Sequence, residues 1–358
     1  MYRRLQTRLL EWYGRARRDL PWRNTRDPYA VWLSETMLQQ TRVETVVPYY
    51  ERFLRALPTI GALAEAPEER VLSLWSGLGY YRRARLLHAA AKRVTRSYGG
   101  RLPSDPAELR QLEGIGAYTA GAVASIAFGR RAAVVDGNVA RVLARLFAVD
   151  DDVKSARGSA RLWSLADDLV HSGDVTPGDW NQALMELGAT VCLPREPKCA
   201  ECPVSGLCAG RAEGRASQLP RTKPKTKPVV VRRVAVVLFS STAVLLAKRR
   251  RDALFGGLWE PPSTATGLPS LAVLLGLDVS RLEPMGEVLH VLSHRRMHVE
   301  VVRGRLPRRR RWEVPGAEYD AVEPVPIDGL GGRAHAALTL KVLAVANVPA
   351  HDLPSSTK

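Results

Sequence analysis

The chain has 358 residues, with 53 Lys plus Arg against 36 Asp plus Glu and a formal net charge of +17. That length allows two or three domains with separate cores, and the positive excess favours a polyanionic partner, nucleic acid ahead of a membrane surface. No apolar run approaches the roughly eighteen residues of a membrane span, and the N-terminus is basic throughout, with neither a long apolar core nor a small-residue cleavage site, so it reads as an amphipathic helix rather than a secretory signal.

Residues 1 to about 210 read as helix nearly throughout, in runs of 3.6-residue period punctuated by Pro and Gly. The first helix is expected to end near Asp19-Leu20-Pro21-Trp22-Arg23, and a second to begin after Asp27 with Pro28 in its first turn. The inward stripe of the second helix is Val31, Trp32, Glu35, Leu38 and Gln39, so a carboxylate fills a slot where the period asks for an apolar residue. A carboxyl desolvated between Trp32 and Leu38 has a raised pKa and can serve as a general acid near neutrality. The alternative is an offset stripe, with Glu35 one more solvated charge. Further on, Gly77-Leu78-Gly79-Tyr80-Tyr81-Arg82-Arg83 is a glycine-hinged helix start with aromatics beside arginines. It suits either stacking on bases and holding phosphates, or a helix cap with half-buried tyrosines.

The stretch Leu112 to Asn138 places two features close together. Gly114-Ile115-Gly116 lies between apolar helix-forming runs, where glycines allow a sharp turn and close backbone approach, and the free N–H groups of the following helix suit a phosphate. Asp136 then heads another periodic run, Val139, Val142, Leu143 and Leu146. A glycine turn and an N-cap Asp is the plainer reading. After a helix over Asp179–Gly188 come the four cysteines, Cys192, Cys199, Cys202 and Cys208, spaced C-x6-C-x2-C-x5-C. Such clustering points to metal or cluster ligation in a reducing compartment, with zinc and iron–sulfur both open.

Composition shifts at residue 211. Residues 211–228 carry six basic residues and three prolines in eighteen positions, as expected of an extended, solvated linker. Beyond it the period becomes that of strands: Val229–Phe239 and Ala243–Lys248 as a hairpin pair, and Met297–Val302. Short helices near Leu268–Leu275 and Ala334–Ala346 complete a smaller α/β domain over residues 229–346, with residues 347–358 as a tail.

The cysteine spacing at the end of a helical domain resembles the [4Fe–4S] loop of the endonuclease III superfamily of DNA glycosylases. LEGIGAYTAGA resembles its helix-hairpin-helix, and VVDGNVARVLAR its catalytic-aspartate segment. Within it, LPWRNTRDPYAVWLSETMLQQTRVETVVPYY, WSGLGYYRRARLLHAAA and NQALMELGATVC resemble the adenine DNA glycosylases. The resemblance implies a helix-hairpin-helix glycosylase domain with an iron–sulfur loop over residues 1–210, followed by a smaller Nudix-like α/β domain.

Residue by residue, Glu35 matches the family's general acid, Asp136 the carboxylate that steadies the sugar cation, and Tyr118 and Asn138 the groups that support sugar and water. Trp22, Arg23, Leu38 and Gln182 match the pocket for the flipped adenine. Gln40 and Tyr80 match the groups that enter the duplex, and Gly114 and Gly116 the phosphate grip. Glycosylases that also cleave the strand carry lysine where this chain has Tyr118, so a lyase step by that route is not expected. In the C-terminal part, LLAKRR and GGLWEPP resemble the family's Nudix-like domain, but the acidic metal-holding helix of Nudix hydrolases is absent around Gly267–Gly276. A recognition module follows from this. Leu292, Ser293 and His294 match the loop that reads 8-oxoguanine, with Leu292 replacing a Phe that stacks better. The basic run Arg308–Arg311 is expected at a solvated hairpin tip.

The expected activity is hydrolysis of adenine paired with 8-oxoguanine, and in addition with guanine, on double-stranded DNA. A monomer of bacterial type, cytoplasmic and nucleoid-associated, with a [4Fe–4S] cluster on the four cysteines, is expected. The competing readings are an endonuclease III-like glycosylase and lyase, and a non-catalytic lesion sensor.

Overall fold

The computed structural model describes residues 1–222, 227–308, 311–314 and 317–349. They fall into two units: residues 1–65 with 86–222, and residues 66–85 with everything described from Lys227 onward. Helices fill the first unit. In chain order they are α1 (Tyr2–Ala16), α2 (Pro28–Leu38), α3 (Val43–Ala56) and α4 (Ile60–Glu65). Then α5 (Glu68–Leu74) belongs to the second unit, and α6 (Arg82–Ser97) starts there and returns to the first. The first unit continues with α7 (Pro106–Leu109), α8 (Ala117–Ile126), α9 (Gly137–Leu146), α10 (Ala156–His171), α11 (Pro177–Thr190) and α12 (Ala209–Ala212).

Helix starts follow their capping residues. The Asp27 carboxylate accepts the Ala30 amide at 2.7 Å with Pro28 in the first turn, and Asp136 accepts the Val139 amide at 2.7 Å. The second helix differs from its expected single stripe. Every residue of α2 from Tyr29 to Met37 is buried, while Leu38 and Gln39 are only half-buried. Tyr29–Met37 contains no charged residue except Glu35, so no face of it seeks water, and α3 and α8 pack against it. Ser34 and Thr36 satisfy their hydroxyls within the helix, on the carbonyls of Val31 and Trp32. Helix α11 packs against α1, α8, α9 and α10, around a core that includes Leu9, Leu143, Leu169, Trp180 and Leu184.

Most of residues 211–222 are exposed, and Leu219 is the exception. Leu219 is 2% exposed, and the fully buried Arg145 donates from Nε to its carbonyl at 2.9 Å. A buried guanidinium must find acceptors for all its donors, and this one recruits the chain after the cysteines to supply one. Lys223–Thr226 lie outside the described residues, as do Arg309 and Arg310 of the basic run and residues 350–358 of the tail.

The second unit is built on a seven-stranded sheet, β1 (Val229–Phe239), β2 (Ala243–Arg249), β3 (Trp259–Glu260), β4 (Ser263–Thr264), β5 (Glu283–Val291), β6 (Arg295–Arg305) and β7 (Tyr319–Pro326). The main path runs β3-β2-β1-β6-β5, with β4 on β1 and β7 on β2. The expected β1–β2 pairing is present, but the longest partner of β1 is β6, parallel from Val229↔Arg295 to Phe239↔Arg305. Helix α13 (Leu268–Leu275) covers Val236 and Leu238, while α14 (Ala337–Val345) lies with Ala235 and Val299. Alternate residues of β1 therefore face different helices, and its second half, Ala235–Leu238, is buried on both sides, which explains the continuous apolar run there, while Val229 and Val230 are exposed.

Asn181, 1% exposed on α11, donates from Nδ2 to Ser125 Oγ and to the Ala132 carbonyl, each at 2.9 Å. Asn181→Ala leaves both acceptors buried without a donor. It should cost about 1–3 kcal/mol in urea unfolding of the purified protein; a change below about 0.5 kcal/mol would contradict this packing role.

Candidate active site

Glu35 is 5% exposed within α2, and the hydroxyl of Tyr118, the second residue of α8, donates to its Oε2. Burial pushes the Glu35 carboxyl up to about 7, against the lowering effect of the Tyr118 hydrogen bond, with Asp136 raising it and Arg23 lowering it. Tyr118 also lies 3.7 Å from Met185 Sδ on α11. A carboxyl of this kind keeps its proton in about half of the molecules at neutral pH, where an ordinary glutamate keeps almost none, and can give it up to a base placed against it.

Asp136 has a different environment. Burial leaves its pKa above the ordinary value too, partly offset because its oxygens accept the Val139 amide and Asn138 Nδ2 at 3.1 Å and the charge of Arg141 adds to them. Arg141 Nη2 donates to Asn138 Oδ1 at 2.8 Å, which orients the amide so that its NH2 faces Asp136. The same guanidinium donates to the carbonyls of Gly188 and Cys192 at 2.6 and 2.7 Å. Gly188 is required here, since a Cβ at that position would stand 2.6 Å from the Asn138 Cβ; its absence lets α11 approach the start of α9. The two carboxyls are thus held unlike: one desolvated and bonded by a phenol, one bonded by an amide and a backbone N–H beside a cation.

The other expected pocket residues are placed in the same helical unit. Trp22 is buried, its ring edge-on to Tyr50 at 5.4 Å; Leu38 and Gln182 are half-buried. Arg23 is tied to Glu186, a residue the sequence reading did not single out. No local signal marks it, because its partners lie more than 160 residues away in the chain. Arg141, also missed, sits three residues after Asn138, the spacing at which helical side chains meet. Gln40 and Tyr80 are exposed, and both hold non-glycine backbones in the left-handed region, at φ 60° and 48°. Such backbones are costly and gather where a side chain must be presented outward.

Only one of the two hairpin glycines takes positive φ. Gly114 does, at 77°, and a Cβ there would meet Leu86 Cβ at 2.7 Å. Gly116 is extended and opens on empty space, so the backbone at the start of α8 is bare for a partner. The four cysteines line one cavity with Val142, Arg145 and Leu187. Among the described residues no group of three His, Cys, Asp or Glu side chains is placed to hold a single metal ion. Arg145 puts Nη1 3.2 Å from Cys192 Sγ and gives its other hydrogen bonds to the carbonyls of Leu193, Pro194 and Leu219. A buried cation beside four thiols fits an anionic, thiolate-bound group.

In the second unit, Leu292, Ser293 and His294 form the tip of the β5–β6 hairpin, closed by the Leu292 amide on the Arg295 carbonyl at 2.8 Å. Ser293 Oγ is 2.5 Å from the Tyr80 hydroxyl. Helix α13 carries no acidic residue, as its sequence indicates.

A family model described as HhH-GPD superfamily base excision DNA repair protein matches residues 33–166, and a NUDIX domain model matches residues 233–345. A Rattus norvegicus protein named adenine DNA glycosylase is 40% identical over 356 residues, covering 82% of this chain and 69% of its own. Its namesake from Buchnera aphidicola subsp. Baizongia pistaciae is 33% identical, covering 82% and 84%. The structure of a thermostable thymine-DNA glycosylase matches with a TM-score of 0.54 at 33% identity, over 59% of this chain and 97% of that one.

The buried Glu35 has a stability consequence whose sign follows from its pKa. Its folded-state value, about 7, lies above the ordinary 4.5, so the native state binds the proton more tightly and loses stability as pH rises from 4.5 to 7. Glu35→Gln should therefore raise the unfolding free energy at about pH 8, by at most about 3 kcal/mol, with the gain vanishing towards about pH 4.5. Equal unfolding curves for the two proteins at the higher pH would contradict this.

Proposed function

The chain belongs to the adenine DNA glycosylases, enzymes of base-excision repair that hydrolyse N-glycosyl bonds, and from that premise we propose that its substrate is adenine paired with 8-oxoguanine in double-stranded DNA. The observation that carries the mechanism is Glu35: a carboxyl buried inside α2, kept near pKa 7 and facing Asp136. In this reading the adenine leaves the stack and enters the pocket of Trp22, Arg23, Leu38 and Gln182. Glu35 gives its proton to a ring nitrogen of the base, which turns an anionic leaving group into a neutral one. As the C–N bond breaks, positive charge grows on the sugar, and the Asp136 carboxylate, fixed by Val139 and Asn138, stabilises it until water adds. Tyr118 orients the acid, and Asn138 supports the carboxylate and the water.

DNA contact falls to the bare backbone at Gly114–Gly116, with Gln40 and Tyr80 as wedges and Leu292, Ser293 and His294 reading the opposite base. The outward left-handed backbones of Gln40 and Tyr80 and the Ser293–Tyr80 contact support this assignment. The protein acts as a monomer and without a lyase step, since Tyr118 stands where an amine would be needed. Cys192, Cys199, Cys202 and Cys208 would hold a [4Fe–4S] cluster whose negative charge answers Arg145. When bound it supplies cross-linking of the loop after α11, not a step of the reaction.

Duplexes carrying A opposite 8-oxoguanine, A opposite G, A opposite T, T opposite G and an oxidised pyrimidine test the substrate. Adenine release from the first, more slowly from the second, and no release from the others is expected. Release from a T·G or oxidised-pyrimidine duplex alone would overturn the reading. Glu35→Gln should lower single-turnover release at least about a thousand-fold while duplex affinity stays within a few-fold; undiminished turnover would reject the general acid. The purified protein should contain about four iron atoms and absorb in the visible; zinc without iron would reject the cluster.

A further inference from the structure

Glu186 takes part in none of the steps above, yet it is wholly buried, at 0% exposure. A buried carboxylate is costly unless fully paired, and this one is paired on both oxygens. Its Oε1 accepts from Arg18 Nε at 2.9 Å and from the Arg18 amide at 3.1 Å; its Oε2 accepts from Arg18 Nη2 at 2.9 Å and from Arg23 Nη2 at 2.5 Å. Arg23 completes its bonding through Nη1 to the Arg18 carbonyl at 3.1 Å, with its guanidinium 5.6 Å from the centre of the Tyr13 ring. Burial raises the Glu186 pKa, but the hydrogen bonds from Arg18 and then Arg23 outweigh it and hold the carboxyl down to about 2. The pair is permanent at any working pH.

The charged and titratable groups that face Glu35 are Tyr118 from α8, Asp136 from the start of α9 and Arg23 from the turn before α2. Arg23 is the cation of that set. Unopposed, it would favour the ionised form of the acid and strip it of the proton the reaction needs. Taking Glu35 as the general acid, as read above, we propose that Glu186 is a positioning residue: it fixes the Arg23 guanidinium in the base pocket and cancels the charge that Arg23 would otherwise direct at Glu35. Arg18, 36% exposed along its side chain, shares the same carboxylate from the solvent side, so part of the Glu186 charge is spent on it. A carboxylate on α11 thus lets a pocket contain an arginine for the base without disarming the acid beside it.

The test is the pH profile of single-turnover base release by the full-length protein, from about pH 6 to about pH 9. The wild type should be flat at low pH and fall as Glu35 ionises. Glu186→Gln should move the falling limb to lower pH by about one unit, so that it loses about ten-fold in rate at about pH 8.5 and only about two-fold at about pH 6. Glu186→Asp, which keeps the charge, should leave the limb where it is. Arg18→Gln removes a cation from the part-exposed end and should move the limb the other way, to higher pH. A limb unmoved in Glu186→Gln, or a rate lowered by one factor at every pH, would overturn the proposal. If Glu186→Gln does not fold, an Arg18→Gln limb that stays or moves to lower pH does so instead. A wild type without a falling limb would instead reject Glu35 as the acid, and the role of Glu186 with it.

Discussion

The constraint on which the helical unit depends is the burial of one carboxyl. Glu35 sits in a helix with no solvent face, and every feature around it answers the cost of putting an ionisable group there. Tyr118 gives it a hydrogen bond, Asp136 opposes its ionisation, and Arg23, which would promote ionisation, is itself tied to Glu186. The result is a carboxyl that keeps its proton to about pH 7, well above the range of an ordinary glutamate. A solvated glutamate on the same helix would be a cheaper residue and a useless acid.

The second carboxyl shows how unlike neighbours separate two similar groups. Asp136 does what any helix-capping aspartate does, and it gains its other role from what surrounds the cap: the Asn138 amide, fixed by Arg141, and the close approach of α11 that Gly188 permits. Arg141 also holds the carbonyl of Cys192, so the first residue of the cysteine loop and the support of Asp136 share one guanidinium. Arg145, one turn on, ties the loop and the chain beyond it. The cysteine loop and the surroundings of Asp136 are therefore parts of one packed arrangement around α9.

Much of this was legible in the sequence, for reasons that can be traced. Helix starts at Pro28 and after Asp136 follow from capping chemistry that acts within three residues. The strand Val229–Phe239 and the helix Leu268–Leu275 appear where local period and composition put them. What escaped depends on partners distant in the chain. Period alone made α2 a one-sided helix, whereas the absence of any charge but Glu35 between Tyr29 and Met37 was the better guide to its full burial. The short strand β3 has no local pattern of its own, and β1 finds its longest partner in β6, some sixty residues on. Residues 211–222 carry the composition of a linker, and within them Leu219 is held by the buried Arg145, which needs its carbonyl as an acceptor. Glu186 looked like an ordinary helix charge because Arg18 and Arg23 are more than 160 residues away.

The most direct test is the protonation of Glu35 itself, read in the folded protein without DNA. A carbon-13 label in glutamate side chains, with Glu35→Gln to assign the signal, gives the carboxyl shift as a function of pH. A midpoint near 7 is expected, about the value its surroundings impose. A midpoint at the ordinary glutamate value of 4.5 would mean that Glu35 is ionised at neutral pH, and the acid would have no proton to give.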